Sequence, residues 1–120
     1  MNDLNRLSLL GRVGADPEIT TLRDGGLRAG FSVATSNRWK DTDGKDQERT
    51  NWHRVSVFNK MAEIVRDNVA KGSQVFIEGP SETREFEKEG VKQRTTELVL
   101  RGAPGEMLRV TDRRKELQPA

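Results

Sequence analysis

Aromatic and basic side chains alternate with small apolar ones between residues 51 and 58. Successive side chains of a strand point to opposite faces, so Trp52, Arg54 and Phe58 share one face while Val55 and Val57 share the other. A water-facing sheet has no packing reason to display two large rings. Bases of single-stranded nucleic acid stack on such rings, at about 1–3 kcal/mol per base. The segment therefore predicts a stacking surface, with Arg54 as its first-ranked cation.

Two further aromatic residues extend this prediction. Trp39 begins a polar segment, and Phe86 lies near the tip of a predicted hairpin. Cations near the rings would neutralise phosphates without reading sequence; the candidates are Arg28, Arg38, Lys40, Arg49, Arg54, Arg84, Lys92 and Arg94. The alternative is that Trp39 and Trp52 are partly buried under a loop or cover a subunit interface.

Composition sets the outer limits on function. The 120 residues suffice for one domain, and 21 Lys and Arg against 19 Asp and Glu leave a net charge of only +2. Global charge therefore gives no argument for a nucleic-acid partner. The absence of cysteine fits a reducing compartment, and the first apolar run is interrupted by charges. We expect a cytoplasmic protein with no membrane span.

Catalytic chemistry has little support in the sequence. A metal-dependent nuclease could use the carboxylates of the segment 41–48, but Gly44 and Trp52 occupy the wrong positions for a calcium-binding loop. No glycine-rich phosphate loop is present. His53 is the only histidine and has no partner set for catalysis. We predict no catalytic residues, no cofactor and no metal site.

The elements that must position these side chains follow from periodicity and turn signals. Asp24-Gly25-Gly26 predicts a tight hairpin turn, and Asn59 is expected to cap a helix that Gly72 ends. The pattern predicts strands at 4–13, 18–22, 27–36, 51–58, 74–86 and 91–101, a helix at 60–71 and a long exposed loop at 37–50. With 18–22 and 27–36 as arms of one hairpin, this order predicts an all-β, five-stranded OB-fold Greek-key barrel with one helix between strands 3 and 4. Residues 1–110 would form the domain and 111–120 a flexible C-terminal segment.

An ordered set of short motifs runs through most of the chain. It comprises RLSLLGRVG at 6–14, DPE at 16–18, FSVATS at 31–36, TNWHRV at 50–55, FNK at 58–60 and KGSQVFIEG at 71–79. In order and spacing this set resembles the bacterial single-stranded DNA-binding proteins, over residues 4–100.

The resemblance implies a homotetramer of OB-folds that binds single-stranded DNA without sequence specificity and protects it during replication, recombination and repair. It implies stacking roles for Trp39, Trp52 and Phe58, and Phe86 stands where the family commonly has tryptophan. His53 matches a family histidine near the subunit interface. The implied setting is the cytoplasm, in association with the nucleoid.

Three departures from the family pattern modify these expectations. The chain ends without the acidic tip that recruits replication and repair proteins, so tail-mediated recruitment is expected to be absent if the sequence is the full product. The acidic hairpin segment 80–87, which contains Glu82, Glu85 and Glu87, predicts weaker DNA binding. Residues 101–104 interrupt a last β segment that is usually longer in the family, so a dimer is an alternative to the tetramer. An OB-fold interaction module, primosome-like or a mobile-element paralogue, is the alternative function.

Overall fold

The computed structural model describes residues 3–113, which form eight strands and one helix. The strands are β1 (Leu7–Val13), β2 (Glu18–Thr21), β3 (Leu27–Lys40), β4 (Asp46–Phe58), β5 (Gln74–Gly79), β6 (Ser81–Lys88), β7 (Val91–Leu100) and β8 (Met107–Asp112). The helix α1 (Lys60–Asn68) lies between β4 and β5. The prediction of a mostly β chain with one short helix is confirmed, but the count of five strands was wrong.

One continuous sheet contains all eight strands, in the order β6-β7-β4-β3-β1-β5-β8 with β2 added beside β3. Only Pro80 separates β5, which pairs with β1, from β6, which pairs with β7. The Pro80 carbonyl accepts a hydrogen bond from the Val99 amide at 3.0 Å. The chain therefore changes pairing partner at Pro80, which links β5, near one edge of the sheet, to β6 at the other edge.

The core consists of the inward side chains of these strands. Val55 of β4 is fully buried between Phe31 of β3 and Leu98 of β7, and Val57 lies between Ala29 and Leu100 in the same cluster. Ala62 and Val65 close the cluster from α1. Strict alternation explains how a chain with only 32% hydrophobic residues can fill a core, because each strand contributes one face only.

The predicted loop at 37–50 was wrong. Strands β3 and β4 pair continuously until Lys40 lies opposite Asp46, leaving a turn of five residues, 41–45. Oδ1 of Asp41 accepts the amides of Asp43 and Lys45, both at 2.9 Å, and Gly44 takes a φ of 78°. The Lys45 amide is the main cause that lowers the pKa of Asp41. This part of the hairpin has no core against either face, so its polar sequence resembles a loop.

The predicted flexible segment begins too early. Residues 107–112 form β8 along β5, and the Thr111 hydroxyl donates to the Gln74 carbonyl at 3.1 Å. Leu108 and Val110 pack against the core, which explains why this strand is held. Ordered structure thus passes residue 110, while 114–120 lie outside the described residues.

The turn before β8 is organised by one carboxylate. Oε1 of Glu106 accepts the amides of Arg101, Gly102 and Ala103 at 2.8–3.1 Å. This arrangement ends β7 at Leu100 and redirects the chain into β8.

The helix is shorter than predicted and begins differently. It ends at Asn68, not at residue 71, and Val69 is already extended. Asn59 occupies the N-cap position with a φ of 57°, but its side chain does not cap the helix. Instead, Oδ1 of Asn59 accepts a hydrogen bond from the Leu27 amide at 3.4 Å. Asn59 therefore joins the start of α1 to β3.

The buried glycine of β1 gives a test of this packing. A Cβ on Gly11 would lie 2.2 Å from the Ala34 carbonyl oxygen, so Gly11→Ala must displace β3. We expect a loss of about 1–3 kcal/mol in the free energy of unfolding, measured by urea denaturation. The control Thr20→Ala, on an exposed strand, should change it by less than about 0.5 kcal/mol. Equal stability of the two variants would contradict the close approach of β1 and β3.

Candidate nucleic-acid interface

The outward side chains of β3, β4, β7 and β6 form one continuous surface, here called the outer face. Strand register establishes it, because Trp52 lies opposite Ala34, Arg54 opposite both Ser32 and Glu97, and Glu97 opposite Glu82. Its aromatic and basic members include Arg28, Trp52, Arg54, Phe58, Arg84, Phe86 and Arg101, with Arg38 and Lys40 near the end of the β3–β4 hairpin. Rings and cations that are distant in sequence therefore share one side of the barrel.

Trp52 is the most exposed ring, with 62% of its surface accessible to solvent. Its indole lies directly over Gly14, where an added Cβ would be 2.3 Å from Cζ3 of the ring. Arg54 lies over Gly30 in the same way, with Nη2 at 2.8 Å from an added Cβ. Two glycines thus leave room for a ring and a guanidinium to lie close against the backbone.

Phe58 is half-buried, unlike Trp52, and its ring is covered. The Arg101 guanidinium carbon lies 5.6 Å from the ring centroid, in cation–π geometry. Both terminal nitrogens of Arg101 bond to the Glu82 carboxylate, Nη2 at 3.2 Å from Oε1 and Nη1 closer to Oε2. Hydrogen bonding to Glu82 raises the pKa of Arg101 above its ordinary value. The predicted stacking ring is therefore occupied by a side chain of the protein.

Beside Phe58, a depression of about 170 Å³ has a polar floor. The Ser56 hydroxyl donates to Oε2 of Glu97 at 2.7 Å and accepts a hydrogen bond from Nη2 of Arg28 at 2.9 Å. Nη2 of Arg84 bonds the other carboxylate oxygen of Glu97 at 3.1 Å. Two of the predicted cations are thus held in place by one half-buried carboxylate and its serine partner.

The β3–β4 hairpin displays its two tryptophans on opposite faces. Trp39 pairs with Gln47 and alternates with Arg38 and Lys40, so it lies on the face opposite Trp52 and is 44% exposed. Arg38 and Lys40 lie on the Trp52 side, with long contacts to Glu48 (3.7 Å) and Asp46 (3.9 Å). The predicted cations join the outer face, whereas Trp39 does not.

The β6–β7 hairpin places Arg84 and Arg94 on opposite faces. Phe86 is 40% exposed and lies on the outer face with Arg84. Arg94 lies opposite Glu85 on the other face, and its Nη2 is 3.2 Å from Oε1 of that carboxylate. Glu87 alternates onto the same side as Glu85, so these carboxylates do not face Phe86. The structure therefore does not bring Arg94 together with the predicted cations of the outer face.

His53 points to the inner side of β4, opposite Val33 in the register. It is half-buried, and its Nε2 lies 2.9 Å from the Thr35 hydroxyl. This hydrogen bond gives the side chain a structural partner within the chain. The predicted position at a subunit interface stays a prediction.

Sequence reasoning named Glu82 within the acidic hairpin but missed two side chains of the outer face, Glu97 and Arg101. Arg101 follows the buried Leu98 and Leu100 at odd spacing, so strand alternation alone would have placed it outward. Its contact with Phe58 depends on the parallel pairing of β4 and β7, which the local sequence does not reveal.

Within residues 3–113, no group of three or more His, Cys, Asp or Glu side chains is arranged to hold a metal ion. The helix in this part of the chain is too short to cross a bilayer.

Comparison with known proteins supplies the family. The profile of the Single-strand binding protein family matches residues 4–107. Single-stranded DNA-binding protein 1 of Xylella fastidiosa (strain 9a5c) is 45% identical over 103 residues, which cover 84% of this chain and 76% of that protein.

Solved structures of similar proteins have the same fold. A Plasmodium falciparum SSB in complex with ssDNA superposes with a TM-score of 0.84 at 30% identity, over 93% of this chain and 98% of that one. A deletion mutant of the single-stranded DNA binding protein from Thermus aquaticus gives 0.73 at 25% identity, over 91% of this chain and 51% of that one. The chain belongs to the Single-strand binding protein family.

Proposed function

We propose that this protein binds single-stranded DNA on its outer face without sequence specificity, and so protects it during replication, recombination and repair. The observation that carries the proposal is Trp52, an indole that is 62% exposed and supported from beneath by Gly14. A large ring exposed to water is unfavourable, and an unpaired base that stacks on the ring removes its surface from water. Membership of the family supports the same ligand.

Binding combines stacking with charge neutralisation. Trp52 and Phe86 present open rings, and Arg54, Arg28 and Arg84 lie between or beside them. Rings accept any base because every base has a π face, and guanidinium groups contact phosphates that carry no sequence information. No bond is made or broken in this process, so the protein acts as a binding protein rather than an enzyme.

Trp39, Arg38 and Lys40 form a second part of the binding surface at the end of the β3–β4 hairpin. Both faces of this hairpin are exposed between residues 37 and 50. Single-stranded DNA that stacks on Trp52 can cross the edge of the hairpin and then stack on Trp39. Arg94, which is paired with Glu85 on the far face of the other hairpin, has no part in this proposal.

The proposed assembly is a homotetramer of OB-fold barrels, with a dimer as the alternative and His53 near the subunit contact. Within one chain the barrel ring is β1, β3, β4, β7 and the continuous β5–β6 segment, with β2 and β8 as additions. The proposed location is the cytoplasm, on the nucleoid. Light scattering with and without a defined oligonucleotide measures the assembly.

Titration with poly-deoxythymidine tests the function directly. Stacked bases are expected to quench the fluorescence of Trp52 and Trp39. A protein-interaction module that has lost DNA binding would give no change in fluorescence. Metal-dependent degradation of labelled DNA would instead indicate a nuclease.

Removal of the exposed indole gives the first prediction on binding. Trp52→Ala should weaken binding to oligo-deoxythymidine by about 1–3 kcal/mol, because one stacked base is lost. Fluorescence anisotropy of labelled DNA measures this without depending on the removed indole. The control Ile64→Ala truncates an exposed apolar side chain of α1 and should leave affinity unchanged. If Trp52→Ala binds as tightly as the unmodified protein, the ring is not a stacking site.

A matched pair of arginines gives the second. Arg54→Gln on the outer face should lower affinity and make the slope of log K against log salt shallower by about 0.7, the value for one phosphate contact with a single strand. Arg94→Gln removes the same charge on the opposite face of the β6–β7 hairpin and should change the slope much less. Anisotropy titrations between about 50 and 200 mM salt distinguish the two. A larger effect of Arg94→Gln would indicate that DNA binds the face opposite to the outer face, and it would contradict the proposal.

A further inference from the structure

The ring of Phe58 is the one predicted stacking site that is closed in the described structure. Arg101 covers it at 5.6 Å from the centroid, and Glu82 holds Arg101 through both terminal nitrogens. A base cannot stack on that side of the ring while the guanidinium is there. Arg101 itself lies on the outer face. However, Glu82 occupies the two terminal nitrogens of the guanidinium with which Arg101 would bind a phosphate.

This ion pair is open to exchange. The side chains of Arg101 and Glu82 are 58% and 43% exposed, so solvent reaches both groups. Water and salt therefore compete for both groups, and a phosphate offers the guanidinium the same bidentate acceptor geometry as a carboxylate. The other carboxylate of the depression, Glu97, is already bonded to Ser56 and Arg84, so it does not take the place of Glu82.

We propose that Arg101 is a further DNA-contacting residue and that Glu82 is an internal competitor for its phosphate site. When a DNA phosphate displaces the Glu82 carboxylate, the guanidinium leaves the Phe58 ring and the ring receives a base. Glu82 thereby lowers the affinity of the outer face and reduces the number of cations free to bind phosphate. The inference rests on the proposed function, since it assigns residues to that same surface.

The hairpin that carries Glu82 also carries its matched control. Glu85 lies three residues further along β6, also pairs with an arginine, and faces the opposite side. Glu82→Gln and Glu85→Gln remove the same charge from the same strand. General repulsion between protein and DNA would respond similarly to both, whereas competition for Arg101 responds only to Glu82→Gln.

The experiment measures affinity for labelled oligo-deoxythymidine against salt, by anisotropy, for the full chain. Glu82→Gln is expected to bind at least about threefold more tightly at low salt, and its salt slope should be steeper by about 0.7, as for one added phosphate contact. Glu85→Gln should show clearly smaller changes in both. In an Arg101→Gln background, Glu82→Gln should raise the affinity no more than Glu85→Gln does, because the guanidinium that Glu82→Gln would release is absent. Urea denaturation of each variant confirms that it is folded.

Each outcome decides the inference. Equal effects of the two glutamate variants, no gain from Glu82→Gln, or a gain that persists without Arg101 would overturn it while leaving DNA binding by the unmodified protein intact. Failure of the unmodified protein to bind oligo-deoxythymidine at low salt would overturn the proposed function itself, and the inference with it.

Discussion

The structure depends on the burial of Val55 and Val57 in β4. This strand pairs with β3 on one side and with β7 on the other, so it lies at the centre of the sheet. A slip of one residue would exchange its two faces, and burial of two valines, worth about 1.5–3 kcal/mol each, opposes that slip. The same alternation then has only one way to direct Trp52, Arg54 and Phe58, which is towards the outer face. The core therefore determines the geometry of the proposed binding surface.

Charge on the outer face is more nearly balanced than a nucleic-acid ligand would suggest. Arg84 and Arg101 are each paired with a glutamate, and Arg28 is tied through Ser56 to one of them. Arg54 forms no ion pair within residues 3–113, so it stands apart from these three. Such pairing agrees with a net charge of only +2 and shifts the balance of binding from phosphate contacts towards ring stacking. Stacking is the contribution that salt affects least.

The sequence allowed reliable prediction only where one face of a strand is buried. The alternation of β4 and the hairpin turn at Asp24-Gly25-Gly26 could be read directly, and the exposure of Trp52 followed. The strands within segment 37–50 could not be predicted, because a hairpin beyond the core has polar residues on both faces and shows no alternation of polar and apolar residues. For the same reason the face of Trp39 was not predicted.

Contacts between distant strands were beyond local reasoning for a different cause. The cover over Phe58 requires β4 and β7 to lie in parallel with Val57 beside Leu100, and it requires β6 to bring Glu82 opposite Glu97. Neither pairing leaves a mark in the residues near Phe58. Alternation could have placed Arg101 outward, but only the register shows what it touches.

The opposite placement of Trp39 and Trp52 has a consequence for the path of a bound strand. Trp52 lies beside Ala34, and Trp39 lies five residues further along β3, about 17 Å away at the rise of a strand. A DNA strand that stacks on both rings cannot remain on one side of the hairpin, because the rings face away from each other. It has to cross the exposed hairpin edge between them. Under the proposed function, the arrangement of these two residues therefore favours wrapping of the DNA around the protein over a straight path across the outer face.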